Sequence, residues 1–368
     1  MSLSQKIIDG NRIMAWDKDK IVRENGDIAE AQAPVIISAS RSTDIPAFYA
    51  DWFFHRLEKG YSAWMNPFNG VKSFVSYKNT RFIVFWSKNP KPLIPYLKAL
   101  REKGIRCYIQ YTLNDYEQEG LETGVPSLED RIRTFKSLVA ILGKGAVIWR
   151  FDPLLLTDRI TIDDLISKIN AIGRQLADYT EKLVFSFADI VSYRKVKTNL
   201  ETNGINYLDW SECQMKEFVQ KLAEVNRRNG WNFDLCTCGE KPIFKEFGVQ
   251  PNHCVDDNLM IRLSYDDKKL MDFLGVTVCD SHDSLFGPIE IPSDAIILPN
   301  GQYAIKSKNN KDKGQRTLCG CMVSKDIGEY NTCAHLCEYC YANTSKSIAC
   351  ANLKRHKDNP LSETITGL

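Results

Sequence analysis

The feature that most constrains this chain is a strand–helix alternation that runs through its first 240 residues. Short runs rich in β-branched and aromatic residues, which favour strands, alternate with longer segments of helical period. The seven predicted strands are 35–40, 61–65, 82–86, 106–112, 146–151, 182–187 and 231–236. The predicted helices are 47–57, 93–102, 127–142, 162–176 and 211–229. The pattern predicts parallel βα units in an α/β fold, and their number favours a TIM-type (βα) barrel, complete or partial.

Capping residues mark the ends of two predicted helices. Ser127 and Ser211 are predicted N-caps, and Gly143 and Gly230 are predicted C-terminal stops. After Cys238 the alternation breaks, although a further helix is predicted at 266–274. The predicted organisation is a βα barrel over residues 1–256 and a cysteine-rich C-terminal segment over residues 257–368, packed on the barrel mouth.

The composition argues against some classes of partner. The 368 residues carry 48 basic and 46 acidic side chains, a formal charge of +2, which gives no reason to expect nucleic acid or a membrane surface as the main partner. The N-terminal residues are polar rather than signal-like, and no apolar run reaches the roughly 18 residues of a membrane span. We therefore expect a cytoplasmic protein.

Cysteine is concentrated in the last third of the chain. Of twelve cysteines, ten fall between Cys236 and Cys350. A disulfide framework is not expected in the reducing cytoplasm, so clustered thiols indicate ligation of a metal or a cluster.

The tightest cysteine group has the form C-x3-C-x2-C. Cys333, Cys337 and Cys340 form it, and Tyr339 precedes the third cysteine. Three thiolates on one short loop can each bind one iron of a [4Fe–4S] cubane, which leaves the fourth iron open to a small molecule. A structural zinc site more often shows four protein ligands in two C-x2-C pairs. The spacing therefore favours the cluster over zinc.

This spacing resembles the signature of the radical S-adenosylmethionine superfamily. In that superfamily the sulfonium cofactor chelates the open iron, and an electron from the reduced cluster cleaves it to a 5′-deoxyadenosyl radical that abstracts hydrogen from a substrate. The resemblance implies S-adenosylmethionine as a second cofactor. It also implies an electron donor such as a flavodoxin or ferredoxin.

A second resemblance covers nearly the whole chain. The sequence is similar to the uncharacterised domain-of-unknown-function family numbered 1848, which has a C-terminal cysteine cluster like that of radical enzymes. The segments that carry the similarity are 37–46 (ISASRSTDIP), 85–90 (FWSKNP), 149–153 (WRFDP), 319–321 (CGC) and 326–333 (DIGEYNTC). The family's reaction is not established, so the similarity implies a cofactor class and not a substrate.

The position of the motif differs from that of ordinary radical enzymes, whose cysteines follow the first barrel strand. Here only 28 residues follow Cys340, so the barrel must already be built upstream. The resemblance then implies a circularly permuted arrangement, in which the C-terminal loop folds back over the barrel mouth. The Gly-Gly-Glu-Pro motif that usually meets the cofactor's amino group is absent from the sequence.

Polar residues at the ends of the predicted strands are the candidate catalytic residues, because strand ends converge on the active site of a βα barrel. Arg41, Lys88 and Arg150 are expected to bind anionic groups of cofactor or substrate. The full candidate set is Arg41, Asp44, Lys88, Asn89, Arg150 and Asp152. An equally simple interpretation of Asp44 is a helix cap, because Ile45 and Pro46 follow it.

The family resemblance also implies a second metal site. Its candidate ligands are Cys238, Cys254, Cys319 and Cys321. Four thiolates suit a second iron–sulfur cluster or a tetrahedral zinc ion, and the softness of sulfur alone does not separate the two. We favour iron–sulfur, because an electron donor close to the first cluster would have a use.

Two other functions are compatible with the sequence. One is a zinc-structured module that binds protein or nucleic acid through the basic loop 306–316. The other is an iron–sulfur protein that only transfers electrons. The radical enzyme is favoured because three cysteines leave an open coordination site, whereas structural zinc normally has four protein ligands.

Overall fold

The computed structural model describes residues 16–39, 41–66, 69–240, 243–280 and 291–368 of the chain. Its strands are β1 (Asp17–Val22), β2 (Ile28–Ala33), β3 (Ile36–Ala39), β4 (Tyr61–Met65), β5 (Lys72–Ser76), β6 (Phe82–Ser87), β7 (Arg106–Thr112), β8 (Val147–Leu154), β9 (Leu156–Thr157), β10 (Lys182–Phe187), β11 (Tyr207–Leu208), β12 (Asp234–Thr237), β13 (Gln250–Pro251), β14 (Val276–Cys279), β15 (Ile296–Ile297), β16 (Tyr303–Lys306) and β17 (Lys325–Asp326).

The helices include those predicted from the periodicity of the sequence, together with three that were not predicted, over residues 194–202, 257–264 and 346–358. They are α1 (Ile45–Phe48), α2 (Ala50–Lys59), α3 (Leu97–Glu102), α4 (Leu128–Leu142), α5 (Ile162–Leu176), α6 (Arg194–Thr202), α7 (Glu212–Arg228), α8 (Asp257–Ser264), α9 (Lys268–Leu274) and α10 (Lys346–Asp358). Ser127 and Ser211 are N-caps, as predicted, because each side chain accepts a hydrogen bond from the backbone three residues on. Gly143 ends α4, and Gly230 follows α7 with φ +65°. Among the described residues, no helix has the length and apolar character of a membrane span.

The centre of the fold is an eight-stranded sheet, called the main sheet, in the order β13-β12-β10-β8-β7-β6-β3-β17. Every neighbouring pair in it is parallel. From β3 to β13 each strand lies beside the one that precedes it in this sheet, which is how successive right-handed βα units add. The predicted α/β class is confirmed.

The main sheet is open rather than closed into a barrel. Its two ends, β13 and β17, are two residues long and do not pair with each other in the described part of the chain. The chain segments beside them meet instead, because the Met322 N–H donates to the Val255 carbonyl oxygen at 2.9 Å. The two ends of the sheet are thus linked through residues outside their strands.

Alternate residues of the main sheet face two different buried layers, as the two-residue period of a strand requires. One face packs on the helices that connect the strands, and its core includes Ile37, Ile83, Ile109, Trp149 and Phe185. The other face, called the inner face, packs on α8 and α9 through Phe82, Tyr108, Ile148, Met260 and Leu270. Arg150 and Cys236 lie on the inner face, because they pair in register with Val184 of that layer.

A second, four-stranded sheet in the order β1-β2-β5-β4 contains one predicted barrel strand. The predicted strand 61–65 is β4, and it pairs antiparallel with β5 rather than entering the main sheet. A short connection joins β4 to β5, which allows a hairpin, whereas a parallel neighbour needs a crossover. The chain's C-terminus is tied to this sheet, because the Arg23 guanidinium and Glu363 form an ion pair at 2.8 Å.

The C-terminal segment contributes to the main sheet itself. Its strand β17 pairs parallel with β3, with Lys325 opposite Ile37 and Asp326 opposite Ser38. Residue 40, the last of the predicted strand 35–40, lies outside the described residues. The remaining 42 residues after β17 carry the C-x3-C-x2-C motif and α10.

Candidate metal centres at the edge of the main sheet

Backbone hydrogen bonds hold the loop 331–341, called the cysteine loop, against the segment that follows β7. Glu122 and Cys337 form an antiparallel bridge, and the Glu338 N–H donates to the Leu121 carbonyl at 3.0 Å. The Gly124 N–H donates to the His335 carbonyl at 2.9 Å. A Cβ on Gly124 would lie 2.5 Å from the Ala334 carbonyl oxygen, so only glycine allows this approach.

Left-handed residues and side-chain contacts shape the cysteine loop. Asn331 and Leu336 have φ of 61° and 56°, a conformation that Asn tolerates and Leu adopts at some cost. The Tyr49 hydroxyl donates to the Thr332 carbonyl at 2.6 Å, and the Asn343 amide donates to the Cys333 carbonyl at 2.7 Å. Two side chains from outside the motif therefore hold the backbone at Cys333 and at the residue before it.

The three thiols of the cysteine loop are close enough to influence one another. Burial raises the pKa of Cys333 well above its ordinary value, and the charges of Asp44 and Cys337 raise it further. Burial also raises the pKa of Cys337, with Lys88 opposing and Cys340 adding to the rise. If all three thiols ionise, each raises the pKa of its neighbours, so the ionised set needs positive charge nearby.

Asp44 supports the cysteine loop through a buried hydrogen bond. The Asp44 carboxylate lies 2.7 Å from Nε2 of His335, a residue of the loop that is only 1% exposed. The same carboxylate accepts hydrogen bonds from the Ser87 hydroxyl at 2.8 Å, the Lys88 N–H at 2.8 Å and the Ala47 N–H at 3.0 Å. The last bond makes Asp44 the N-cap of α1, as the alternative interpretation of the sequence expected.

Lys88 belongs to a buried polar network beside the cysteine loop. Its ammonium donates to Glu122 Oε1 at 2.7 Å and to the Tyr339 hydroxyl at 2.9 Å. The Tyr339 hydroxyl also donates to Glu122, and Arg131 Nη1 lies 3.7 Å from the second oxygen of that carboxylate. Burial acts to raise the pKa of Glu122, but Lys88 and Arg131 lower it to about 2. Arg131 Nη2 also lies 3.8 Å from Glu117 Oε1, so two carboxylates face the two cations, and the Lys88 charge acts directly on Cys337.

Arg150 and Asp152 form a second network on the inner face. Arg150 Nη2 donates to Asp152 Oδ2 at 2.6 Å, and Nη1 donates to Gln110 Oε1 at 3.1 Å. The Ser186 hydroxyl donates to Asp152 as well. Asn114 joins the two networks, because its side-chain oxygen accepts from the Asp152 N–H at 2.8 Å and its amide donates to the Tyr339 hydroxyl at 3.2 Å.

The four cysteines Cys238, Cys254, Cys319 and Cys321, called the four-cysteine group, are also brought together. Cys238 Sγ lies 2.8 Å from Cys254 Sγ. The Cys254 and Cys321 side chains interact, and so do those of Cys321 and Cys319. Hydrogen bonds with Cys238 and Cys321 lower the pKa of Cys254 well below its ordinary value, and Arg150 acts in the same direction. Cys238 follows β12, Cys254 follows β13, and Cys319 and Cys321 precede β17, so the group lies beside the ends of the open sheet.

The structure places two predicted residues less centrally. The Arg41 guanidinium lies over the Trp86 ring, 5.9 Å from its centroid, and the Arg41 carbonyl accepts from the Tyr341 hydroxyl at 2.6 Å. The guanidinium forms no direct ion pair among the residues that the structure describes, although its charge acts to lower the pKa of the nearby Asp326 and Cys319. The Asn89 N–H donates to the Ser87 hydroxyl at 2.9 Å, beside the Asp44 carboxylate.

Sequence reasoning missed several members of these networks. Glu122 and Gln110 were not among the predicted polar residues, and their partners Lys88 and Arg150 lie 34 and 40 residues away in the chain. His335 was within the predicted loop but carried no signal of burial. Tyr339 was identified only through its place in the motif.

Comparisons with known proteins point to one family. The family described as Domain of unknown function (DUF1848) matches residues 36–342, which extend from β3 to just beyond Cys340. The match includes both groups of cysteines and all six of the predicted polar site residues. No curated protein and no solved structure matches the chain. Because the family covers more than half of the chain, the protein belongs to the DUF1848 family.

Proposed function

We propose that the cysteine loop holds a [4Fe–4S] cluster with one open iron, and that the protein is a radical S-adenosylmethionine-type enzyme. The observation that carries the proposal is the place of Cys333, Cys337 and Cys340 beside the C-terminal ends of β3, β6 and β7. In parallel α/β folds ligands bind at that edge. The order of the main sheet, with successive strands side by side, supports a partial barrel as the scaffold.

The surroundings of the three cysteines fit a buried cluster. A [4Fe–4S] core with three thiolate ligands carries a net negative charge, which needs compensation in a buried site. Burial acts to lower the pKa of Lys88, but the neighbouring Glu122 and Cys337 raise it above its ordinary value, so Lys88 stays protonated. The backbone N–H of His335 donates to the Cys333 sulfur, a contact typical of cluster ligands.

Such a cluster supplies, when its open iron holds S-adenosylmethionine, the electron that starts radical chemistry on a substrate. Among the predicted cations, Lys88 and Arg150 are already paired with Glu122 and Asp152. Arg41, which has no such pair in the described residues, is therefore the best candidate to bind a carboxylate or phosphate of cofactor or substrate. Asp44 acts as a positioning residue through His335, and Asn89, beside it, is a candidate for substrate contact.

One observation disfavours the zinc-structured nucleic-acid module. In the basic loop 306–316, the ammonium groups of Lys306, Lys308 and Lys311 donate to Asp257, the Asp272 carbonyl and the Thr317 carbonyl. Cations engaged by their own chain are poorly placed to bind phosphates. An electron-transfer function is the second candidate, and it predicts a reduced-cluster signal that S-adenosylmethionine does not change.

The test is anaerobic reconstitution of the whole chain with iron and sulfide, followed by electron paramagnetic resonance after reduction by a flavodoxin or by dithionite. We expect the signal of the reduced cluster to change when S-adenosylmethionine is added, and 5′-deoxyadenosine to form. Cys337→Ser should abolish both results, and Cys350→Ser, at an exposed cysteine, should abolish neither. A signal that the cofactor leaves unchanged, with no 5′-deoxyadenosine formed, contradicts the enzyme and supports electron transfer.

A further inference from the structure

We infer that the four-cysteine group binds a second iron–sulfur cluster, at a site separate from the cysteine loop. The inference rests on Cys238, Cys254, Cys319 and Cys321 alone and does not depend on the function proposed for the first cluster. Cys238 and Cys254 are 16 residues apart, Cys321 follows Cys254 by 67 residues, and the fold brings the four side chains into one continuous row.

Hydrogen-bond donors converge on the sulfurs, as metal-bound thiolates require. Arg150 Nη1 and the Asn252 amide each lie 3.3 Å from Cys254 Sγ. The backbone N–H groups of Cys254 and Val255 point to Cys321 Sγ, at 3.2 and 3.5 Å. Four donors directed at two thiols would be an unusual surrounding for cysteines that serve only as apolar core.

Glycine permits the close approach of the C-G-C segment. A Cβ on Gly320 would lie 2.2 Å from Nε2 of His253, the residue before Cys254. A side chain at residue 320 would therefore have to displace the His253 ring from beside Cys254. The Met322 N–H, which donates to the Val255 carbonyl, continues this contact.

The arrangement favours a cluster over a single zinc ion. A tetrahedral zinc needs four sulfurs at about 2.3 Å from one centre, so every pair would be about 4 Å apart. Among the described residues, no three of the four sulfurs lie within 4.8 Å of one another. One ligand atom from each of His253, Asp256 and Asp257 does meet that distance. A cubane binds each sulfur to a different iron and so needs wider spacing than zinc, which suits the non-adjacent sulfurs of the row but not its adjacent pairs. Either occupant requires Cys238 and Cys254 to separate, because 2.8 Å is shorter than the normal contact of two sulfur atoms.

The neighbouring group of His253, Asp256 and Asp257 is not the metal site. Asp257 is paired with the Lys306 ammonium at 2.8 Å, and Asp256 with the Lys182 ammonium at 3.5 Å. Asp256 also caps α8. Their negative charges are thus compensated by the protein itself.

The experiment removes the three cysteines of the first site and measures the iron and sulfide that the protein still binds. The Cys333→Ala/Cys337→Ala/Cys340→Ala variant, reconstituted anaerobically, should keep roughly four irons and four sulfides per chain. Adding Cys254→Ser and Cys321→Ser to it should lower iron at least tenfold, whereas Cys107→Ser with Cys350→Ser, at cysteines outside both groups, should leave it unchanged. Circular dichroism checks that each variant is folded.

A second measurement needs no substitution in the site. In the reconstituted parent, alkylation followed by mass spectrometry should find the four-cysteine group protected, and chelation should expose it. Zinc bound in place of iron would overturn the cluster assignment. Equal alkylation of the group before and after chelation, or iron unchanged in the five-residue variant, would overturn the site. Either failure leaves the cofactor test of the first site unaffected, so the two proposals fail separately.

Discussion

Arg150 Nη1 lies 3.3 Å from Cys254 Sγ, while Nη2 of the same guanidinium lies 2.6 Å from Asp152 Oδ2. Burial acts to lower the pKa of Arg150, but Cys254 and Asp152 raise it well above its ordinary value, so the group is a permanent buried cation. Through Asp152 and Asn114 it is hydrogen-bonded to Tyr339 of the cysteine loop. The Arg150 guanidinium thus contacts the four-cysteine group directly and is linked to the cysteine loop through hydrogen bonds.

Replacing Arg150 should change the redox properties of the second centre. Arg150→Met removes a charged hydrogen bond to Cys254 Sγ, and such bonds stabilise the more negative, reduced form of a cluster. We expect the midpoint potential of the second centre to become more negative, measured by a redox titration followed by electron paramagnetic resonance. Arg228→Met, at an exposed position on α7, is the control. An unchanged potential in Arg150→Met would place the cluster elsewhere.

Glu122 should govern stability in acid. Its pKa in the folded protein, about 2, lies below its ordinary value of 4.5. A depressed pKa stabilises the fold fully above about pH 4.5, and that stabilisation is lost as pH falls toward 2. Glu122→Gln leaves Lys88 buried without its carboxylate partner and Arg131 with only Glu117 at 3.8 Å, so it should cost about 3–5 kcal/mol at neutral pH.

Chemical denaturation at neutral pH and at about pH 3 checks this expectation. The parent should lose more stability between the two conditions than Glu122→Gln, which has no carboxylate to protonate there. Glu129→Gln, on the surface of α4, should behave like the parent. Equal losses in the parent and in Glu122→Gln would show that Glu122 titrates near its ordinary pKa.

Substitutions at two glycines should each weaken only one of the two clusters. Gly124→Ala places a Cβ against the backbone of Ala334 and His335, so it should displace the cysteine loop and weaken the first cluster only. Gly320→Ala meets the His253 ring and should weaken the second cluster only. Iron content and the spectra of the two reduced clusters distinguish the outcomes. Gly314→Ala, which meets only a flexible Asp312 side chain, is the control, and loss of both clusters from either variant would contradict the assignment.

Asp44 should stabilise the cysteine loop rather than take part in chemistry. Each carboxylate oxygen of Asp44 accepts two hydrogen bonds. In Asp44→Asn an amide N–H group would face two of these donors, so the free energy of unfolding should fall by about 1–3 kcal/mol. The first cluster should then be lost faster in air, at a rate measured by the decay of visible absorbance. Asp163→Asn, at an exposed carboxylate, should match the parent. A variant with normal stability but no 5′-deoxyadenosine would make Asp44 catalytic instead.

The sequence predicted the parts of the fold that depend on local pattern. Runs of β-branched and aromatic residues located the central strands of the main sheet, and Ser127 and Ser211 marked the starts of α4 and α7. Strand 61–65 was identified as a strand but assigned to the wrong sheet, because periodicity does not reveal which strands pair. The two-residue strand β17 shows no alternation that could be recognised, so neither it nor the openness of the sheet was predictable.

In the candidate site, too, some residues were predictable from local sequence and others only from the folded structure. The cysteines were identified because their spacing in the chain is itself the chemical signal. Glu122 was missed because its partner Lys88 is 34 residues away and Tyr339 is 217 away. The pairing of Lys88 and Arg150 with carboxylates, which leaves Arg41 as the candidate anion ligand, is likewise a property of the folded chain alone.

Iron analysis of the reconstituted Cys333→Ala/Cys337→Ala/Cys340→Ala variant beside the parent tests the central claim most directly. No other cysteine is spaced to replace these three without moving the loop, and Cys350, on α10, is exposed. The account predicts that the variant loses roughly four irons per chain, together with the signal that responds to S-adenosylmethionine. The same iron content in variant and parent would contradict it.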